Sequence, residues 1–305
     1  MAPTTSAQAY EKDLGILLYI DDHPSMYEEF SWIYKSWIHS GVWRRSDLIV
    51  VCHPKAYDQL PGNDPGVIKI VAEPISREGR WKGYHFINSI ACVSGAHTAH
   101  LAGQYKWLLR TDADVFLTRH LANFRPNFPV LGRGRYAENQ EVWDRMVAFC
   151  EAHGVAHQRS FGCGSSILAE SSLALFFLER QTYWCERLLE HFDAHGEGQW
   201  PGWFKGVITL YAGEIAANEN HHAFLRYSYQ RILDLESYVV GHIDEFTLHI
   251  HAIHTDDYFS KSKFRDGGYK HIDVAKLDTS KVNQYAHWIA ATPLDEIKAA
   301  AAYPY

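Results

Sequence analysis

The sequence predicts an α/β protein with a central sheet flanked by helices. Three observations carry this. Short apolar runs at 14–20, 48–52 and 67–71 are separated by segments long enough for crossovers, which is the alternation of a largely parallel sheet. The first run is followed at once by apolar residues at helical spacing. A further buried-strand pattern, Tyr105 to Thr118, encloses two aspartates, Asp112 and Asp114, one residue apart.

Taken in order, LGILLYI (14–20) reads as a buried strand that ends in Asp21, Asp22 and Pro24. Ser25 and Glu28 have capping-box spacing, and Met26, Phe30, Ile33, Tyr34 and Trp37 continue a helix towards Gly41. LIVVC and VIKIV are the second and third strands. A helix is expected from about Tyr84, with Phe86, Ile90, Val93, His97 and Leu101 on one stripe. Glu138 to His153 and Glu170 to Phe192 read as helices around a short strand in FGCGSSILA (161–169), and another helix runs through Leu210, Tyr211 and Glu214. Strands are expected at 238–240 and 246–254, then a basic loop. Thr279 or Ser280 should cap a closing helix, and Thr292 with Pro293 should start a short last one.

Composition narrows the function. Hydrophobic residues make up 47% and charged residues 21% of 305 residues, ordinary for a globular chain able to bury a sizeable core. A net charge of −7 without a long Lys/Arg run argues against a nucleic-acid partner. Five cysteines at 52, 92, 150, 163 and 185 form no C-x-x-C pair, so neither a disulfide framework nor a zinc ribbon is indicated. No apolar run reaches the roughly 18 residues of a transmembrane helix. A cytoplasmic protein is expected, or a soluble catalytic domain with its anchor removed. Residues 1–13 read as a disordered tail.

The chemistry centres on the aspartate pair. In an extended chain, side chains two apart share a side, so Asp112 and Asp114 would place two hard oxygen ligands together and could hold Mn²⁺ or Mg²⁺. The bland reading is a pair of turn carboxylates, and the flanking apolar residues weigh against it. Arg80 and Lys82, before an expected helix start, make an anion cradle or a solvated turn. Lys261, Lys263 and Arg265 follow the last strand. Glu214, among small residues, either faces a cleft or is an exposed helix carboxylate. Such parts suit transfer from a nucleotide-diphosphate sugar, where a metal and basic groups stabilise the charge of the leaving diphosphate.

At LLRTDADVFLT and LHIHAIHTDDYFSKSKF the sequence resembles the metal-dependent glycosyltransferases of the GT-A fold. That likeness implies a Rossmann-like mixed sheet in one domain, 14–305, with a donor-nucleotide half (about 14–118) and an acceptor half (about 119–305). The W-P-x-W-x-x-G-V segment also looks like that of a poorly characterised algal and protist GT-A-like group. Carried over, Asp114 would bind the metal and Asp112 the metal or ribose. His254 is the chosen third ligand and His251 the second choice; His249 or His251 could equally be a satisfied strand histidine. Arg80, Lys82, Lys261 and Lys263 would meet the donor, and Glu214 would be the catalytic or acceptor-side carboxylate. The expected partners are a UDP- or GDP-sugar and a glycan, protein or small-molecule acceptor.

Two other readings compete. Asp112-Ala113-Asp114 with Lys205 and Thr255-Asp256-Asp257 could form a haloacid-dehalogenase-like Mg²⁺ phosphatase, although its nucleophile belongs on an earlier strand. A GT-A-like module could also bind nucleotide or glycan without turnover.

Overall fold

The computed structural model describes residues 12–134, 136, 139–160, 162–224 and 232–305. Most of the expected tail therefore lies outside the described residues. Strands β1 (Leu14–Ile20), β2 (Ser46–Cys52), β3 (Val67–Val71) and β4 (Trp107–Arg110) run parallel, with β1 between β2 and β4. After β5 (Val115–Leu117) come β6 (Val130–Arg133) and β7 (Cys163–Glu170); β7 runs antiparallel to both β4 and β6. The main sheet thus has the order β3-β2-β1-β4-β7-β6, mixed as expected. A small second sheet, β5-β9-β8, pairs β5 with β9 (His249–His251) and β9 with β8 (Leu235–Glu236).

The helices are α1 (Pro24–His39), α2 (Asn88–Ala91), α3 (Leu101–Gln104), α4 (Gln140–Ala152), α5 (Ser171–His195), α6 (Ile208–Glu219), α7 (Lys261–Arg265), α8 (Val282–Ala291) and α9 (Leu294–Ala300). They bury both faces of the main sheet. Ile16 and Leu18 of β1 pack with α1, α8 and α9, whereas Leu17 and Tyr19 pack with α5 and α6. This is why β1 is apolar throughout instead of alternating. Each such Leu or Ile contributes roughly 1.5–3 kcal/mol by leaving water. Because β6 and β7 join the sheet begun by β1, one sheet runs through the expected donor and acceptor halves. Among the described residues no helix is long and apolar enough to cross a membrane.

Several elements differ from the sequence reading. Helix α1 is capped by His23, whose Nδ1 accepts from the Ser25 N–H at 3.2 Å, while Glu28 turns to Arg265. The helix expected from Tyr84 is broken into the short α2 and α3, with Gly95 between them at φ +113°, a left-handed value that suits glycine. The run 105–118 is two strands in different sheets, and the chain bends at 111–114 between them. No strand forms at 238–240, and the expected 246–254 strand is only three residues long, because β5 offers just three partners. The basic loop contains α7. Helix α8 starts at Val282 without a side-chain cap; Asp278 takes the Ser280 N–H and hydroxyl instead.

Candidate active site

The order of the parallel strands reverses beside β1: the chain moves outward to β2 and β3, then returns to lay β4 on the other side. In open α/β sheets such a switch point leaves a crevice at the carboxyl ends of the strands. Asp21 follows β1 there, and Asp112 follows β4. Buried Asn88 of α2 bridges the crevice wall, donating to Asp21 Oδ2 at 3.2 Å and to Ser76 Oγ at 2.9 Å.

The bend after β4 sets the aspartates. Arg110 is 1% exposed and donates to Ser89 O at 2.9 Å, to Ser165 O and to Asp112 Oδ1 at 2.8 Å. The two terminal nitrogens of this buried guanidinium carry the three bonds, Nε has no partner among the described residues, and one of the bonds aims the Asp112 carboxylate. Asp114 is buried just before β5. The β5–β9 register sets Val115 opposite His251, and Ala252 N–H donates to Asp114 O at 2.8 Å. That register delivers the histidine: ligand atoms of Asp112, Asp114 and His251 lie within 4.8 Å of one another.

The electrostatics follow from these contacts. His251 Nε2 lies 3.1 Å from Asp114 Oδ1, and Lys261 Nζ lies 2.5 Å from Asp114 Oδ2. Burial alone would raise the Asp114 pKa, but Lys261 and His251 hold it well below the carboxylate range. Burial would likewise lower His251, yet Asp114 and Asp234 raise it well above the usual imidazole value. Glu29 of α1, 3.9 Å from Lys261, is pushed up to about 7 by burial and by Asp114. Two carboxylates and an imidazole in a cluster match the donor set of Mn²⁺, with Mg²⁺ served by the oxygens.

The other expected site residues fall elsewhere. His254 is exposed on the stretch after β9 and stands outside the cluster, so His251 takes the place expected of His254. The strand ends three residues earlier than its apolar run suggests, which moves the ligand position back. Arg80 is bound to Glu186 of α5 at 2.6 Å, Lys82 is exposed, and Lys263 holds Asp256. Of the four basic candidates, Lys261 reaches the acidic pair. Glu214 is 2% exposed: it accepts from Gly162 N–H at 3.2 Å and from Asn218 Nδ2 at 3.1 Å, and its Oε1 lies 3.5 Å from His157. The cavity beside it, bordered by Tyr136 and Gly162, is about 10 Å³, the space of a single water.

Sequence reasoning missed Asp234 and gave Arg110 no role in the site. It also passed over Tyr136, which is edge-on to the exposed Trp200 at 5.8 Å. The Tyr136 pKa is raised by burial and then influenced by His251, Asp112 and Asp114. An arginine two residues before an aspartate was a readable signal for Arg110. Asp234 left none, because its partners come from β7 and β9.

Solved structures share this fold, among them two of LgtC. The galactosyltransferase LgtC, in complex with donor and acceptor sugar analogues, aligns at TM-score 0.51 with 12% identity, covering 94% of this chain and 99% of that one. An active-site mutant of LgtC aligns at TM-score 0.51 with 14% identity, over 84% of this chain and 95% of that one. The likeness gives the chain the fold of a GT-A glycosyltransferase. No curated protein matches the chain by sequence. Residues 8–300 match the model of a domain of unknown function, DUF7164, and the chain belongs to that family.

Proposed function

We propose that the protein is a metal-dependent glycosyltransferase that moves a sugar from a UDP- or GDP-sugar to an acceptor hydroxyl. The observation that carries this is the convergence of Asp112, Asp114 and His251 at the switch point of a GT-A fold, with Lys261 on the same carboxylate. Asp112, Asp114 and His251 would hold the cation. Bound there, Mn²⁺ or Mg²⁺ would neutralise charge developing on the leaving diphosphate. Lys261, on the short α7, would exchange Asp114 for a phosphate oxygen when the donor binds. Asp21, at the carboxyl end of β1 and held there by buried Asn88 of α2, suits the hydroxyls of a nucleoside. The exposed Trp200 and Tyr136 offer ring faces on the acceptor side. Membership of the algal and protist group fits the same reading.

The contacts favour transfer over phosphatase chemistry. Lys205, the lysine a phosphatase would need, lies on Asp193 and Glu197 at 3.2 and 3.1 Å. A panel of UDP- and GDP-sugars with Mn²⁺, assayed for released nucleoside diphosphate with and without simple acceptors, tests the proposal. Metal-dependent release supports it. Nucleotide binding without turnover would favour a binding module, and neither binding nor turnover would end the reading.

A further inference from the structure

We propose that Asp234 is the positioning residue of the metal site, holding His251 with Nε2 directed at the cation, and that Gly132 and Gly164 form the slot that houses its carboxylate. The proposal rests on the metal-site reading above and adds to it a residue that touches neither metal nor donor.

The geometry is specific. His251 is bracketed by two carboxylates, with Nδ1 3.3 Å from Asp234 Oδ1 and Nε2 3.1 Å from Asp114 Oδ1. An imidazole that gives its Nδ1 proton to one acceptor presents the Nε2 lone pair on the opposite side, which is the side a metal needs. Asp234 can act as a fixed reference because it is itself held. Its Oδ2 accepts from Ser166 N–H at 3.1 Å, and its Oδ1 accepts from the Ser166 hydroxyl at 2.7 Å. Both bonds come from β7, an inner strand of the main sheet. The carboxylate therefore ties the histidine of the small sheet to the large one.

The sequence makes room for this link in two places. A methyl group added at Gly132 of β6 or at Gly164 of β7 would overlap Asp234 Oδ2. Gly132 also sits where the β6–β7 register shifts, between Leu131 and Arg133, so the irregular pairing and the missing side chains together open the slot. Asp234 has φ +55°, in the left-handed region that aspartate tolerates better than most residues. It is 4% exposed, so its oxygens are reserved for these partners and not for solvent. His249 reinforces the arrangement from the same face of β9, as its Nδ1 accepts from the Asp234 N–H at 3.4 Å.

The test uses the whole chain and a divalent cation as the only ligand, Mn²⁺ for affinities and Zn²⁺ for the state of the ring. In calorimetry, Asp234→Asn is expected to weaken Mn²⁺ binding about 10- to 100-fold, as loss of an outer-shell partner does. Gly132→Ala should reproduce that loss without altering any polar group. A wild-type measurement needs no variant: nitrogen NMR of the His251 ring, with diamagnetic Zn²⁺ standing in for Mn²⁺ because it takes imidazole nitrogen, should show the proton on Nδ1. A purely packing role for Asp234 would not move this signature, and a proton on Nε2 overturns the proposal. If Asp114→Ala abolishes Mn²⁺ binding while Asp234→Asn binds as tightly as wild type, the positioning role fails and the metal site stands. If wild type binds no Mn²⁺, both fail together.

Discussion

Lys261 Nζ and Asp114 Oδ2 are 2.5 Å apart, which places a half-buried cation on the carboxylate best placed to bind a metal. The pair gives Asp114 a counter-charge, without which a carboxylate so deeply buried would shed its own charge. It also sets a lysine where the proposed donor would place its diphosphate. Lys261→Met should therefore weaken UDP binding in the presence of Mn²⁺ by about tenfold, the scale of one charge-assisted hydrogen bond. Mn²⁺ binding without nucleotide should not weaken, because the bound cation itself supplies the counter-charge that Asp114 loses with Lys261. Calorimetry of both ligands checks this, and a matched loss of the two would make Lys261 a support for Asp114 alone.

The histidines can be ranked. His251→Ala should lower Mn²⁺ affinity at least as much as Asp112→Ala, whereas His254→Ala should stay within about threefold of wild type, since it removes no cluster member. Manganese titrations followed by electron paramagnetic resonance give the order directly.

How far the site could be read in the sequence depended on the range of each determinant. The strands β1, β2 and β3 are legible because burial on two faces leaves unbroken apolar runs, and Asp112 and Asp114 stand out against such runs. The choice between His251 and His254 was not legible: the strand stops where β5 stops, and β5 lies more than a hundred residues earlier in the chain. Gly95 shows the opposite failure. A local left-handed turn broke a helix that the apolar spacing of Phe86, Ile90, Val93 and Leu101 favoured.

Glu214 accepts a backbone N–H from Gly162, next to the segment that leads into β7. Glu214→Gln should cost about 1–3 kcal/mol of stability in denaturant titrations, the scale of disturbing a buried hydrogen bond. Turnover per folded molecule should change little. A large fall in turnover with unchanged stability would restore Glu214 to catalysis.

His287 predicts an acid limit. Burial, with a further contribution from His271, lowers its pKa to about 4, and Tyr258 OH lies 2.5 Å from its Nδ1. The unfolded chain takes up a proton at a pH of about 6.5, the folded chain only near 4. Its stabilising contribution is complete above pH 6.5 and is lost as pH falls towards 4, by an amount on the order of 3 kcal/mol. Denaturant midpoints between pH 7 and 4.5 should fall accordingly, and His287→Gln should flatten that slope.

The slot formed by Gly132 and Gly164 has a consequence for how this family can diverge. A carboxylate at 234 and bare backbone at 132 and 164 are mutually dependent, since a side chain at either glycine would overlap Asp234. Relatives should change the three positions in concert: a member with alanine at either glycine should also lack the acid. These three letters would then sort the family by sequence alone, separating chains that hold the proposed histidine ligand in place from chains that do not.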